Sequence, residues 1–156
     1  EAELDTRITM IRRGLGLNGV SRVWYKSMSQ GLANDIETIR SLCFEHKITL
    51  IIVDSMGSAC MGEPESADVV LTAFNAIRDL KTSSLIIDHT NKEGHLFGSV
   101  YKRNNARQVF LCEKSQSEDD NKLVIGLFHK KVNNSKLIKP MGFELVFNDG
   151  MITFSN

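Results

Sequence analysis

Two short apolar runs, each followed directly by polar residues, constrain the fold of this chain most. Residues 50–53 read Leu-Ile-Ile-Val and are followed by Asp54. Residues 84–87 read Ser-Leu-Ile-Ile and are followed by Asp88 and His89. Continuous β-branched runs without polar alternation are typical of strands that are buried on both faces of a parallel sheet. We therefore expect both runs to be strands of one sheet.

The segment between the two runs has the signals of a helix. Ser66 can cap a helix that extends to about Leu80, and Asp68 is favourable in its first turn. A strand, a helix and a second strand in this order form a βαβ unit with a right-handed crossover. The pattern predicts an α/β fold with a mainly parallel sheet.

The rest of the chain divides into a helical part and a strand-rich part. Apolar residues recur at helical spacing over residues 3–16 and 32–47, and residues 20–28 alternate as a strand does. We predict one domain over residues 1–156, with a parallel α/β part to about residue 105 and an antiparallel extension over about 106–156. The extension should contain strands at residues 109–112, 123–128, 143–147 and 151–154, separated by turn residues.

Charge and composition exclude several classes of protein. The 19 Lys and Arg residues balance 19 Asp and Glu residues, which argues against a globally basic nucleic-acid coat. No apolar run approaches the roughly 18 to 20 residues of a membrane span. Cys43, Cys60 and Cys112 are few and widely separated, which favours reduced thiols over a disulfide framework. We expect a cytoplasmic protein without a membrane partner.

Asp54 and His89 are the first candidates for chemistry, because ligands of open α/β sheets bind at the carboxyl ends of the parallel strands. An apolar strand that ends in Asp is typical of the Walker B carboxylate, which holds the water shell of a nucleotide-bound Mg²⁺. Structural interpretations stay open: Asp54 as the cap of a turn, and His89 as a hydrogen-bonded group at a strand end. Their placement after successive strands favours the functional interpretation.

Several segments together resemble RecA-like P-loop ATPases of the RepA type. This family includes replicative helicases of plasmids and related proteins of phages and mobile elements. The resemblance covers the chain from Glu1 to about Pro140 and implies a RecA-like three-layer αβα architecture. The matching segments, in order and spacing, are Glu1-Ala2-Glu3-Leu4-Asp5, Leu50 to Ser55, Asp88-His89-Thr90-Asn91-Lys92, Gly98-Ser99 and Asn105-Ala106-Arg107.

The resemblance implies roles for four residues around the nucleotide. Glu1 matches the glutamate that polarises the attacking water, although it could equally be a solvated glutamate at a helix start. Asp54 matches the Walker B aspartate that holds Mg²⁺ through water, with Ser55 beside it. His89 matches the polar sensor that contacts the γ-phosphate. ATP and Mg²⁺ are the implied ligands.

Two further residues resemble cationic fingers. Arg107 matches the arginine finger that reaches the nucleotide of the adjacent subunit, and Lys131 is similar in position to a second finger. Phosphoryl transfer spreads negative charge over the γ-oxygens, and the fork of an arginine can contact two of them. A finger acting in trans implies a ring or filament with head-to-tail contacts. The alternative for Arg107 is a sheet-edge arginine paired with Glu113 or Glu118.

Residues 95–103 fall where RecA-like motors place a loop that faces the central channel. Lys102 and Arg103 could neutralise phosphates, and Phe97 or Tyr101 could stack on a base, as in single-stranded DNA binding. The alternative is a solvated loop whose aromatic side chains pack in the core.

One motif of the family does not occur in this sequence. No G-x-x-x-x-G-K-[ST] is present, so the chain lacks a backbone cradle for the β- and γ-phosphates. The family places that loop before the residue that matches Glu1, and the chain does not begin with Met. We expect a C-terminal portion that neither binds ATP tightly nor hydrolyses it alone, and whose sheet has an unpaired edge.

Two functions follow as hypotheses. The first is a Mg-ATP hydrolysing RecA-like motor domain that acts in DNA replication or mobilisation, with a helicase as the leading version. The second is a catalytically inactive α/β module, derived from a P-loop ATPase, that binds nucleic acid or protein.

Overall fold

A computed structural model describes residues 2–63, 65–92, 94, 96–116 and 121–156 of the chain. It shows a mixed α/β protein with a parallel pair of strands and an antiparallel sheet. The chain divides into two compact units, one of residues 25–106 and one that combines residues up to Trp24 with residues 107–156. Among the described residues, none of the helices combines the length and the apolar character that crossing a bilayer requires.

The unit of residues 25–106 contains the predicted βαβ arrangement. Strand β1 (Leu50–Asp54) pairs in parallel with strand β2 (Ser83–Ile87), in a register that places Leu50 beside Ser83 and Asp54 beside Ile87. Helix α4 (Ala67–Asp79) joins the two strands. The prediction of a parallel βαβ unit is therefore confirmed.

The core of this unit lies between α4 and one face of the two strands. Val70 and Met56 are the largest fully buried side chains, and Phe74 is buried beside them. Val53 of β1 points into this core. The remaining elements of the unit are a 3-10 helix (Leu32–Asp35) and helices α2 (Ile36–Glu45), α3 (Met56–Ala59) and α5 (Val100–Asn105).

The two strands are buried on one face only, which corrects the prediction of burial on both. Leu50, Ile52, Leu85 and Ile87 share the other face through their register, and their side chains are 40 to 59% exposed. A continuous apolar run does not alternate with polar residues, so its sequence carries no sign of which face is covered.

The prediction of a strand at residues 20–28 is wrong. These residues form no ladder with any strand that the structure describes, and Val20 and Val23 are exposed. Side-chain alternation is compatible with a strand, but a strand also needs a neighbour that takes its backbone hydrogen bonds.

The other unit is a four-stranded antiparallel sheet against which α1 packs. The strand order is β3-β4-β5-β6, so each strand lies beside its neighbour in the chain; the predicted antiparallel strands form a sheet of their own rather than an extension of the β1–β2 sheet. Helix α1 contacts β6, and its last residue, Gly14, lies against the carbonyl group of Ile152. The elements of this unit are α1 (Ala2–Gly14), β3 (Gln108–Gln116), β4 (Lys122–Val132), β5 (Met141–Asn148) and β6 (Met151–Ser155).

Candidate functional site

The carboxyl ends of β1 and β2 bring two polar junctions side by side. Asp54 ends β1 and pairs in register with Ile87, and Asp88 and His89 follow directly. Neighbouring strands are about 4.8 Å apart, so the junctions share one edge of the sheet. The peptide bond between Asp54 and Ser55 is cis. The Asp54 side chain is exposed while Ser55 is buried, so the carboxylate is the accessible group at this edge.

A buried lysine holds the residue that precedes His89. The Lys102 Nζ lies 2.8 Å from Asp88 Oδ2, with only 3% of the lysine side chain and 12% of the aspartate side chain exposed. The contact is an ion pair whose angles are not those of a hydrogen bond. The same ammonium donates a hydrogen bond of 3.0 Å to the carbonyl oxygen of Phe97. The ammonium of Lys102 is therefore buried, and its partners are groups of the protein itself.

This placement differs from the one that the sequence predicted for Lys102. A lysine that neutralises DNA phosphates must present its ammonium to solvent, whereas this one is enclosed and paired. Arg103 and Tyr101, the two other predicted nucleic-acid contacts, are exposed on the same helix.

The sequence does not predict helix α5, which overlaps the loop expected at residues 95–103. Its start has one recognisable signal: the Ser99 hydroxyl accepts a hydrogen bond of 3.3 Å from the backbone N–H of Tyr101. The helix is only six residues long and lacks the apolar period by which longer helices are found.

Cys60 is a further buried group near the Asp88–Lys102 pair that sequence reasoning did not assign to the site. Burial raises the pKa of the Cys60 thiol, Lys102 opposes this rise in pKa, and Asp88 adds to it. The net direction keeps the thiol protonated, so Cys60 is not an activated nucleophile.

The antiparallel sheet brings the two predicted fingers together. Lys131 pairs with Val109, and the Asn133 N–H donates to the Arg107 carbonyl oxygen at 3.2 Å. Arg107 directly precedes β3, and these contacts place it at the same end of the β3–β4 pair as Lys131. The structure therefore groups the two cations within one unit.

Glu113 and Glu118 are the alternative partners that the sequence suggests for Arg107. Glu113 lies six residues further along the extended β3, roughly 20 Å away, so it cannot pair with Arg107. Glu118 lies outside the described residues, as does Glu1, the predicted catalytic glutamate.

Protein ligands for a cation are few at the Asp54 edge. Among the residues that the structure describes, no group of three or more His, Cys, Asp or Glu side chains is arranged to hold a metal ion. Asp54 offers one accessible carboxylate, which suits a magnesium ion that keeps most of its water and is shared with a phosphate. A surface depression of about 260 Å³ in the same unit is lined by Gly31, Cys60 and Thr72 among others, and does not include Asp54 or His89.

Comparison with known proteins supports the fold. No family model and no curated protein matches the sequence. Among solved structures, the chain is similar to a KaiC-like protein from the hyperthermophilic archaeon Pyrococcus horikoshii OT3, with a TM-score of 0.57 and 13% sequence identity. The similarity covers 87% of this chain and 58% of the archaeal chain. At this identity the likeness supports a RecA-like fold and carries no statement about activity.

Proposed function

We propose that this chain is part of a RecA-like ATPase that hydrolyses Mg-ATP between subunits. The observation that carries the proposal is the common edge of β1 and β2, where the accessible Asp54 and the exposed His89 follow adjacent parallel strands. Open α/β sheets bind their ligands at this edge. The structural likeness supports a RecA-like fold, and in this proposal the edge binds a nucleotide.

Asp54 is the residue that would hold Mg²⁺, through water, with Ser55 next to it. A bound Mg²⁺ neutralises the charge that develops on the β- and γ-phosphates. His89, after the next strand, is proposed to contact the γ-phosphate. The sequence has no motif that cradles the phosphates, so in this proposal that loop is supplied from outside these 156 residues.

Arg107 and Lys131 supply positive charge to the nucleotide of a neighbouring subunit in this proposal. Their common position at one end of the β3–β4 pair gives two cations, which suits the several oxygens over which the transition-state charge is spread. Arg107 is the stronger candidate, because its planar fork can contact two oxygens at once. A cation that acts in trans requires a head-to-tail ring or filament.

The work that hydrolysis drives is proposed to be movement on DNA, in replication or mobilisation, as in RepA-type helicases. Tyr101 and Arg103 are the exposed groups of α5 that would contact single-stranded DNA, one by stacking on a base and one by contacting phosphate.

The test is ATP hydrolysis by the complete product of the gene that encodes this chain. Asp54→Asn removes the charge while keeping the shape of the side chain, so it should abolish turnover with the fold intact. Asp79→Asn is the matched control, because Asp79 is also exposed but lies at the far end of α4. Equal turnover by the wild type and Asp54→Asn would refute the proposal, and a wild type without hydrolysis would favour an inactive binding module.

A further inference from the structure

Lys102 is a buried cation that the proposed chemistry does not use. Only 3% of its side chain is exposed, although it belongs to a short helix near the surface. Removing an ammonium group from water costs several kcal/mol unless charges and hydrogen bonds compensate it. The burial of Lys102 therefore requires contacts that compensate for its lost hydration.

Those contacts form a closed circuit, which we call the Lys102 ring. The Lys102 Nζ pairs with Asp88 Oδ2 at 2.8 Å and donates to the Phe97 carbonyl oxygen at 3.0 Å. The Asp88 Oδ1 accepts a hydrogen bond of 2.9 Å from the His89 N–H. The circuit is closed by the Phe97 N–H, which donates to the His89 carbonyl oxygen at 3.0 Å.

The ring holds the backbone of His89 and leaves its side chain accessible. Both polar backbone groups of His89 are used: the N–H donates to Asp88 and the carbonyl oxygen accepts from Phe97. The residue as a whole is nevertheless exposed. A fixed backbone beneath an accessible side chain is the arrangement that holds a group ready for a ligand.

We propose that Lys102 is a positioning residue that fixes His89 at the edge where Asp54 ends β1. Without the ammonium, the Asp88 carboxylate and the Phe97 carbonyl lose the cation that joins them, and the segment between β2 and α5 loses its tie to the helix. The role of His89 toward phosphate rests on the proposed function, whereas the Lys102 ring does not. The two parts are therefore tested separately.

The first experiment measures amide hydrogen exchange of His89 and Phe97 by NMR in the 156-residue chain. Lys102→Met replaces the ammonium by an apolar group of similar length and should raise exchange at both amides by about 10-fold to 100-fold, the range set by losing a hydrogen bond to a charged group. Lys92→Met, which changes an exposed lysine of the same segment between β2 and α5, is the matched control and should leave both rates unchanged. If Lys102→Met does not fold, Lys102→Gln, which also removes the charge, gives the same comparison. Unchanged exchange in a folded variant overturns the Lys102 ring.

The second experiment separates positioning from stability, using steady-state ATP hydrolysis by the complete gene product. Lys102→Met should lower kcat at least about tenfold with little change in KM, because His89 is proposed to act on the reacting phosphate rather than on nucleotide binding. Lys102→Arg, which keeps the charge, should recover part of kcat. Raised exchange with an unchanged kcat overturns the positioning role. A wild type without hydrolysis overturns the function of His89, while the exchange result still decides the Lys102 ring.

Discussion

Arg107 and Lys131 lie at the same end of the antiparallel β3–β4 pair, with Arg107 directly before β3 and Lys131 within β4. The relationship follows from the pairing of Lys131 with Val109 and from the hydrogen bond of 3.2 Å between the Asn133 N–H and the Arg107 carbonyl oxygen. Two cations at one end of a strand pair suit a polyanionic ligand such as a nucleotide phosphate. The pair therefore gives the proposed fingers a common location.

The two cations should differ in their effect on hydrolysis by the complete gene product. Arg107→Ala should lower kcat by about 10³-fold to 10⁵-fold, the range of arginine fingers, and Lys131→Ala by less. Arg107→Lys should not restore turnover, because an ammonium lacks the planar fork. Lys136→Ala, which changes an exposed lysine of the same unit, is the control. Wild-type turnover by Arg107→Ala would remove the finger assignment.

Phe74 and Phe44 offer a matched test of where the core lies. Phe74 of α4 lies in the hydrophobic core and is 6% exposed, whereas Phe44 of α2 is 89% exposed. Phe74→Ala should lower the free energy of unfolding by about 3 to 5 kcal/mol, and Phe44→Ala by less than about 0.5 kcal/mol. Urea denaturation followed by circular dichroism measures both. A similar loss for the two variants would show that Phe44 is buried in solution.

Gly14 should be intolerant of a side chain. A Cβ at this position would overlap the carbonyl group of Ile152, and backbone atoms cannot turn aside as a flexible side chain can. Gly14→Ala should therefore push α1 away from β6 and cost about 1 to 3 kcal/mol of stability.

Gly142→Ala on β5 is the control for Gly14, because a Cβ there would meet no atom within 4 Å. Its effect should stay within about 0.5 kcal/mol. Equal melting temperatures for the two variants would contradict the packing of α1 on β6.

The thiol of Cys60 should make stability fall at high pH. Burial raises its pKa above the ordinary value of 9.0, so the folded state keeps a proton that the unfolded state releases. The contribution to stability is complete below about pH 9 and is lost as the pH rises through the folded-state pKa, with a slope of at most about 1.4 kcal/mol per pH unit.

Urea denaturation between pH 8 and pH 11 measures this slope. Cys60→Ala should show a shallower fall in stability than the wild type, and Cys112→Ala, which changes an exposed cysteine, should match the wild type. Identical slopes for the wild type and Cys60→Ala would show that the thiol is not buried in solution.

Short sequence patterns predicted those strands and helices whose signals lie within a few consecutive residues. The runs at residues 50–53 and 84–87 indicated a parallel βαβ unit, because apolar strands and an amphipathic helix are encoded within a few residues. The strand at residues 20–28 was wrong, since alternation does not supply a pairing partner. Helix α5 escaped detection because six residues carry no period.

The arrangement of the candidate site depends on contacts between distant residues, which a single sequence does not display. The burial of Lys102 is decided by Asp88, fourteen positions earlier in the sequence, and by a loop carbonyl at Phe97. The grouping of Arg107 with Lys131 depends on the register of β3 and β4, including an irregularity between Val109 and Phe110. Asp54, His89 and Arg107 are each identifiable in the sequence, whereas the Lys102 ring is formed by contacts that only the fold creates.

Mixing two inactive variants of the complete gene product tests most directly whether hydrolysis takes place between subunits. In a head-to-tail assembly, the Asp54 of an Arg107→Ala subunit faces the intact Arg107 of an Asp54→Asn neighbour, so a complete site forms at that interface. We predict that each variant is inactive alone and that the mixture hydrolyses ATP. A mixture that stays inactive, while energy transfer between labelled subunits shows that they co-assemble, would contradict the account.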